Sequence, residues 1–146
     1  MTYCSISDIQ NDIPAVELAA LTDDTDGDTV NEAIVNSAIV YADTIIDGYL
    51  RSRYSLPLEE VPTLLKTFSV DLVKHRLYSR RMTEMPDSVK DSYKNTIKML
   101  ESIQAGKLTL GIIADSTDDQ LTKTNKFITN KTTSDKVFSV DVLNGF

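Results

Sequence analysis

The sequence predicts an all-α fold, a small helical bundle of three long helices plus short N-terminal helices, with an extended C-terminal arm. Two observations carry this. Apolar residues recur at three- and four-residue steps through three long segments, each bounded by a proline or glycine. The pattern then stops: residues 114–136 are mostly Ser, Thr, Asp, Asn, Gln and Lys, after which Phe138, Val140 and Val142 alternate with Ser139 and Asp141. The chain is therefore expected to divide into a bundle over 1–111, a polar linker over 112–136 and an apolar strip over 137–146.

Residues 5–21 read as one or two short helices, with Ser7 as the expected N-cap and Pro14 at a first turn ahead of Val16, Leu18, Ala19 and Leu21. Thr22 to Thr29 is a loop, with Asp28 or Thr29 expected to cap the long helix beyond it. In that helix Ile34, Ala38, Tyr41 and Ile45 form one apolar row, and Val35, Ile39, Ala42, Ile46 and Tyr49 form the row beside it. Glu32, Asn36, Asp43, Asp47 and Arg51 mark its wet stripe, over a length of about seven turns. Leu56-Pro57-Leu58 ends it, because a residue before proline is pushed toward extended backbone.

Pro62 opens another helix. Its broad apolar face holds Leu65, Phe68, Leu72, Val73 and Leu77, and its polar face Thr67, Asp71, Lys74, Tyr78 and Arg81. After a turn at 82–87, Pro86 begins the last helix, with Val89, Tyr93, Ile97, Leu100 and Ile103 on one face and Gly106 as its C′ stop.

The 146 residues carry a net charge of −7, unevenly spread. Residues 1–50 hold ten acids and no Lys or Arg, whereas 51–81 hold seven basic residues against three acids. Such a dipole favours head-to-tail association of identical copies through unlike faces. The overall acidity opposes nonspecific grip on nucleic acid. A single cysteine, Cys4, excludes an intrachain disulfide and an all-cysteine metal site, and points to a reducing cytoplasm. No apolar run reaches the ~18 residues of a membrane span, and the first residues, with acids in place of a basic and greasy leader, do not resemble a secretory signal.

Catalytic patterns are wanting. The five glycines lack the spacing of a phosphate-cradling loop. Cys4, expected in a frayed N-terminus, and His75, expected beside Leu64 and Phe68, have no nucleophile-pair context. The acids Asp23, Asp24, Asp26 and Asp28 suggest a calcium loop, but with Gly27 in the sixth position Ala33 falls where a bidentate Glu belongs. No enzyme, cofactor or metal is expected. A helix bearing Lys66, Lys74, Arg76, Arg80 and Arg81 raises sequence-specific DNA binding as an alternative, weakened by basics spread around the helix.

Several motifs together carry a resemblance. They are Leu21-Thr22-Asp23 with Asp26-Gly27-Asp28, then Asp47-Gly48-Tyr49-Leu50 running into Arg53-Tyr54-Ser55-Leu56-Pro57-Leu58. Pro62 with Leu64-Leu65, Asp71-Leu72, Arg76-Leu77-Tyr78 and Ala105-Gly106-Lys107-Leu108 come next, and Val137-Phe138-Ser139 with Asp141, Leu143, Gly145 and Phe146 close the pattern. This set resembles the Mu-like prophage neck-protein family; residues 112–135 match nothing in it, and Val140 stands where Arg is expected. The resemblance implies a head-tail connector, or adaptor, in the virion neck, assembled in the host bacterial cytoplasm. It implies a homo-oligomeric ring of about twelve copies that docks on the portal protein, extends the DNA channel without sequence-specific contact and receives the next neck or tail protein. A head-closure or tail-terminator protein is the alternative within the same machine. In such a ring Arg51, Arg53, Arg80 and Arg81 are expected at inter-subunit charge contacts. Asp23, Asp24, Asp26, Asp28, Asp43 and Asp47 are expected to face the lumen. Phe138, Val140, Val142, Leu143 and Phe146 are expected to form a partner-binding arm, their alternation suiting addition to a strand edge.

Overall fold

A computed structural model describes residues 1–81 and 84–112. The linker from 113 onward and the apolar strip at 137–146 lie outside the described residues. Within them the chain forms five helices and no strand: α1 (Ile6–Asp12), α2 (Ala15–Thr22), α3 (Glu32–Leu50), α4 (Thr63–Arg80) and α5 (Asp87–Gln104). The all-α bundle expected from the periodicity is present.

Local chemistry sets each boundary. The cap of α1 is Ser5, not Ser7: the Ser5 side chain accepts from the Asp8 N–H and Asp8 accepts in return from the Ser5 N–H at 2.9 Å, a reciprocal capping box. Lys66 lies 2.7 Å from Asp8, and these partners hold the Asp8 carboxyl down at about 2. Pro14 sits at the N-cap of α2, whose inner face buries Leu18, Ala19 and Leu21.

The acid-rich loop is tied by one residue. The two carboxylate oxygens of Asp23 accept from the N–H and hydroxyl of Thr25 at 2.8 and 2.6 Å and from those of Thr29 at 3.2 Å each. These donors hold the Asp23 carboxyl well below the usual carboxylate range. Gly27, at φ 78°, supplies the left-handed turn residue inside the loop. Because Thr29 is spent on Asp23, the cap of α3 falls to Asn31, whose side chain accepts from Ala33 and Ile34 N–H groups at 3.1 and 3.4 Å. The helix is consequently 19 residues long, about five turns rather than the seven expected.

α3 and α4 form the central pair, with the other helices on its two flanks. On one flank, Asp43 of α3 accepts from the Tyr3 N–H at 3.1 Å and Asp47 accepts from the Tyr3 hydroxyl. Ser69 of α4 donates to Cys4 Sγ at 3.2 Å, Lys74 pairs with Asp12 at 2.7 Å, and Tyr78 donates to Glu17. On the other flank α4 meets α5 instead, where Thr96 donates to Asp71 at 3.0 Å and the His75 ring stacks on Tyr93. Tyr78, expected on the polar face, is only 8% exposed, because α2 covers it; the hydrogen bond to Glu17 pushes its hydroxyl up to about 12. Cys4, expected to be frayed, is 4% exposed, since the segment leading into α1 packs into the core.

α5 ends in a Schellman arrangement. Gly106 N–H donates to Ile103 C=O at 3.0 Å and Lys107 N–H to Ser102 C=O at 2.9 Å, with Gly106 at φ 75°. The positive φ calls for the glycine, and a Cβ there would also oblige the Arg53 guanidinium beside it to move.

Leu72, fully buried at the centre of α4, should cost about 2–5 kcal/mol on Leu72→Ala, through lost burial plus the cavity left behind. Chemical denaturation at constant slope checks this. Acid should also unfold the chain in a defined window. Asp8 and Asp23 have folded-state values below the unfolded value of 3.8, so the stability they contribute is present above about 4 and is lost as pH falls from there toward 2 and below. Burial raises Asp43 and Asp71, which opposes that loss as they protonate. Melting temperature measured from pH about 5 to about 2 should fall, and the fall should be shallower in Asp23→Asn.

Candidate interaction surfaces

The structure sorts the residues expected at subunit contacts. Arg80 donates to the Leu21 carbonyl at 3.2 Å and pairs with Asp24, and Arg81 lies 3.9 Å from the same carboxylate. Both therefore tie α4 to the α2–α3 loop within one chain, which removes them from the free basic surface. Arg53 is tucked beside Gly106. Arg51, at the C-cap of α3, is exposed.

The six acids separate as well. Asp23 and Asp43 are 8% and 7% exposed and point inward, the first closing its own loop and the second receiving the Tyr3 N–H. Both are thus engaged within the chain, as short carboxylates with several local donors fold back onto the backbone. Asp24 is engaged by Arg80 and Asp47 by Tyr3, while Asp26 and Asp28 are exposed at the loop tip. Among the described residues, no group of three or more His, Cys, Asp or Glu converges on a metal position. The arm residues Phe138, Val140, Val142, Leu143 and Phe146 lie outside the described residues.

The basic side chains of α4 are not a free recognition face. Lys66, Lys74 and Arg80 meet Asp8, Asp12 and Asp24, and Arg76 lies over the Tyr41 ring, 4.7 Å from its centroid. His75 is stacked 3.8 Å from Tyr93 of α5, and burial pushes its imidazole below the ordinary value. Burial pushes the Cys4 thiol up, away from the reactive thiolate.

Two uncovered surfaces were not expected from the sequence. Between α3 and α5 runs a shallow groove of about 370 Å³ lined by Thr44, Ile45, Gly48, Tyr49, Tyr93, Ile97 and Gln104. Tyr41, one turn before Ile45 and expected in the core row with it, is 37% exposed. On α2 the outward residues Ala15, Val16 and Ala20 are all exposed, Val16 at 82%. The signal was present in α2: AVELAALT is apolar on both sides, and such a helix is normally covered on both. A third feature, a cleft of about 500 Å³ lined by Ser55, Pro57, Leu58, Glu59, Glu60, Gly111 and Ile112, lies where the described chain ends.

Known proteins place this bundle. Residues 3–129 match the family described as Bacteriophage Mu, Gp36. A Haemophilus influenzae protein, the Mu-like prophage FluMu protein gp36, is 34% identical over 87 residues, covering 60% of each chain. Gene product J of Escherichia phage Mu is 30% identical over 113 residues, covering 77% of this chain and 78% of that one. The aligned part thus spans under two-thirds of the Haemophilus relative and over three-quarters of the phage Mu one. Since the family match runs through all five helices, the chain belongs to the bacteriophage Mu Gp36 family of phage proteins.

Proposed function

We propose that this protein is a noncatalytic structural part of the phage particle, a head-tail connector that forms a ring beneath the portal, extends the DNA channel and presents a platform to the next neck or tail protein. The observation that carries this reading is how the polar side chains are used. Asp23, Asp43, Asp47, Asp71, Glu17 and Tyr78 each meet a partner inside the chain, and nearly every such contact joins one element to another. Groups spent on holding helices together are architecture, whereas an active site gathers them around a space for substrate.

Membership of a Mu-phage family supports the particle context. The net charge of −7 suits a conduit through which DNA slides, because phosphates are repelled and not gripped. The alternating strip at 137–146, carried on a polar tether, suits an arm that reaches a neighbour in the neck. A head-closure or tail-terminator role is disfavoured because such proteins commonly build β-rich rings, and the described residues contain only helices. Specific DNA binding is disfavoured because the basics of α4 are occupied by α1, α2 and the following loop.

Cryo-electron microscopy of virions should find the chain as a symmetric ring between portal and tail; its absence from the particle would refute the connector. Deleting 137–146 should leave the melting temperature of the bundle unchanged while heads fail to acquire tails. A bundle that melts markedly lower without those residues would instead assign the strip to the fold itself.

A further inference from the structure

We propose that the apolar outer ridge of α2 and the mixed, tyrosine-lined α3–α5 groove are halves of one contact, the ridge of one copy seated in the groove of the next. The inference rests on the proposed ring and names the surfaces that would close it.

Four observations carry it. First, Gly48 sits inside α3, where glycine costs helix stability, yet a Cβ there would meet nothing within 4 Å. The chain's own packing does not ask for that glycine, but a second molecule approaching the groove does. Second, α2 is apolar on both faces and only its inner one is covered; Ala15, Val16 and Ala20 form a smooth outer ridge whose centre, Val16, is 82% exposed.

Third, the dimensions agree. Eight residues make α2 about 12 Å long, between the α3 wall of the groove from Thr44 to Tyr49, about 9 Å, and its α5 wall from Tyr93 to Gln104, about 18 Å. Fourth, the charges at the ends are complementary. Arg76 over Tyr41 stands near one end of the groove and Arg51, a turn beyond Gly48, near the other; both are exposed and neither has an ion pair among the described residues. The loop after α2 carries Asp26 and Asp28, exposed and likewise without an ion pair among the described residues. Acid against arginine at a rim fixes register and speeds encounter.

Geometry makes the partner a second copy. The α2 ridge belongs to the flank of the α3–α4 pair that carries the Cys4, Glu17 and Asp12 contacts, and the groove to the flank where Thr96 and Tyr93 meet α4. A molecule with complementary surfaces on opposite flanks associates head to tail, and such contacts close into a ring when the rotation allows.

Two substitutions test this without endangering the fold, since each lies in open space. Gly48→Gln fills the groove and Val16→Lys puts a cation on the ridge opposite the arginines. Full-length chains are compared by sedimentation velocity and thermal melting. The wild type should form large closed species. Each variant alone should sediment as a monomer, its self-association weakened at least tenfold, with a melting temperature equal to or above that of the wild type for Gly48→Gln and near it for Val16→Lys. An equimolar mixture should give dimers and stop there, because the Val16→Lys chain keeps its groove and the Gly48→Gln chain keeps its ridge. Variants that assemble like the wild type would overturn this interface and leave the proposed ring standing. Variants that are monomers alone but give no dimer when mixed would overturn the ridge-in-groove pairing. Assembly lost on deleting 137–146 but kept in Val16→Lys would give the groove to the C-terminal strip. A wild type that stays monomeric at every concentration would overturn both this contact and the ring.

Discussion

The seam between α3 and α4 is the constraint on which every other element depends. Val35, Ile46, Leu50, Leu65, Leu72 and Leu77 are each no more than 1% exposed, and most of that burial is supplied by the two helices to each other and to what they jointly cover. Fully burying one such side chain contributes about 1.5–3 kcal/mol. The ion pairs around the seam are smaller by comparison. Lys66–Asp8, Lys74–Asp12 and Arg80–Asp24 all retain substantial exposure, and pairs of that kind contribute about 0.2–1 kcal/mol each. Apolar burial therefore holds the bundle, and the ion pairs decide which way the small helices lie on it.

That division explains where the charge asymmetry of the sequence goes. Ten acids precede the first basic residue, and a chain with so lopsided a start could repel itself or attract a neighbour. Instead α4 carries Lys66, Lys74 and Arg80 along one side, spaced so that each meets an acid from α1 or from the loop after α2. Much of the dipole is spent inside the molecule. What is left outside is dispersed: Glu32, Glu59 and Glu60, Asp26 and Asp28 at a loop tip, and Arg51 and Arg76 on the side of the groove. Rim charges in such small numbers orient an encounter more than they strengthen it.

Buried polar groups serve the same architecture. Asp43, Asp71, Ser69 and Thr96 lie in or near the interior, and each is answered by a donor or acceptor from a different element. An interior polar atom left alone would cost its full desolvation, so these pairs fix helix positions with little tolerance for alternatives. A rigid bundle of this kind is a suitable building block for a larger assembly, because its outer surfaces keep a constant shape.

The sequence by itself determined the elements. Three- and four-residue apolar steps, with Pro14, Pro62, Pro86 and Gly106 at the boundaries, made three long helices and one or two short ones before them legible, because burial of one stripe and the backbone limits of proline and glycine are local rules. The motifs around Asp47-Gly48-Tyr49-Leu50 and Tyr54-Ser55-Leu56-Pro57-Leu58 made the phage family legible too. Only the tertiary structure decided which faces remain open. Tyr41 lies in a row with Ile45 yet stands at the edge of a groove, Tyr78 lies in a polar row yet is covered by α2, and Cys4 precedes every helix yet is buried. Asp23 and Asn31 show the same limit at a loop, where one carboxylate took the donors of Thr25 and Thr29 and moved the cap two residues on. Exposure is set by what packs against a residue from far along the chain, and no periodicity within a single helix records that.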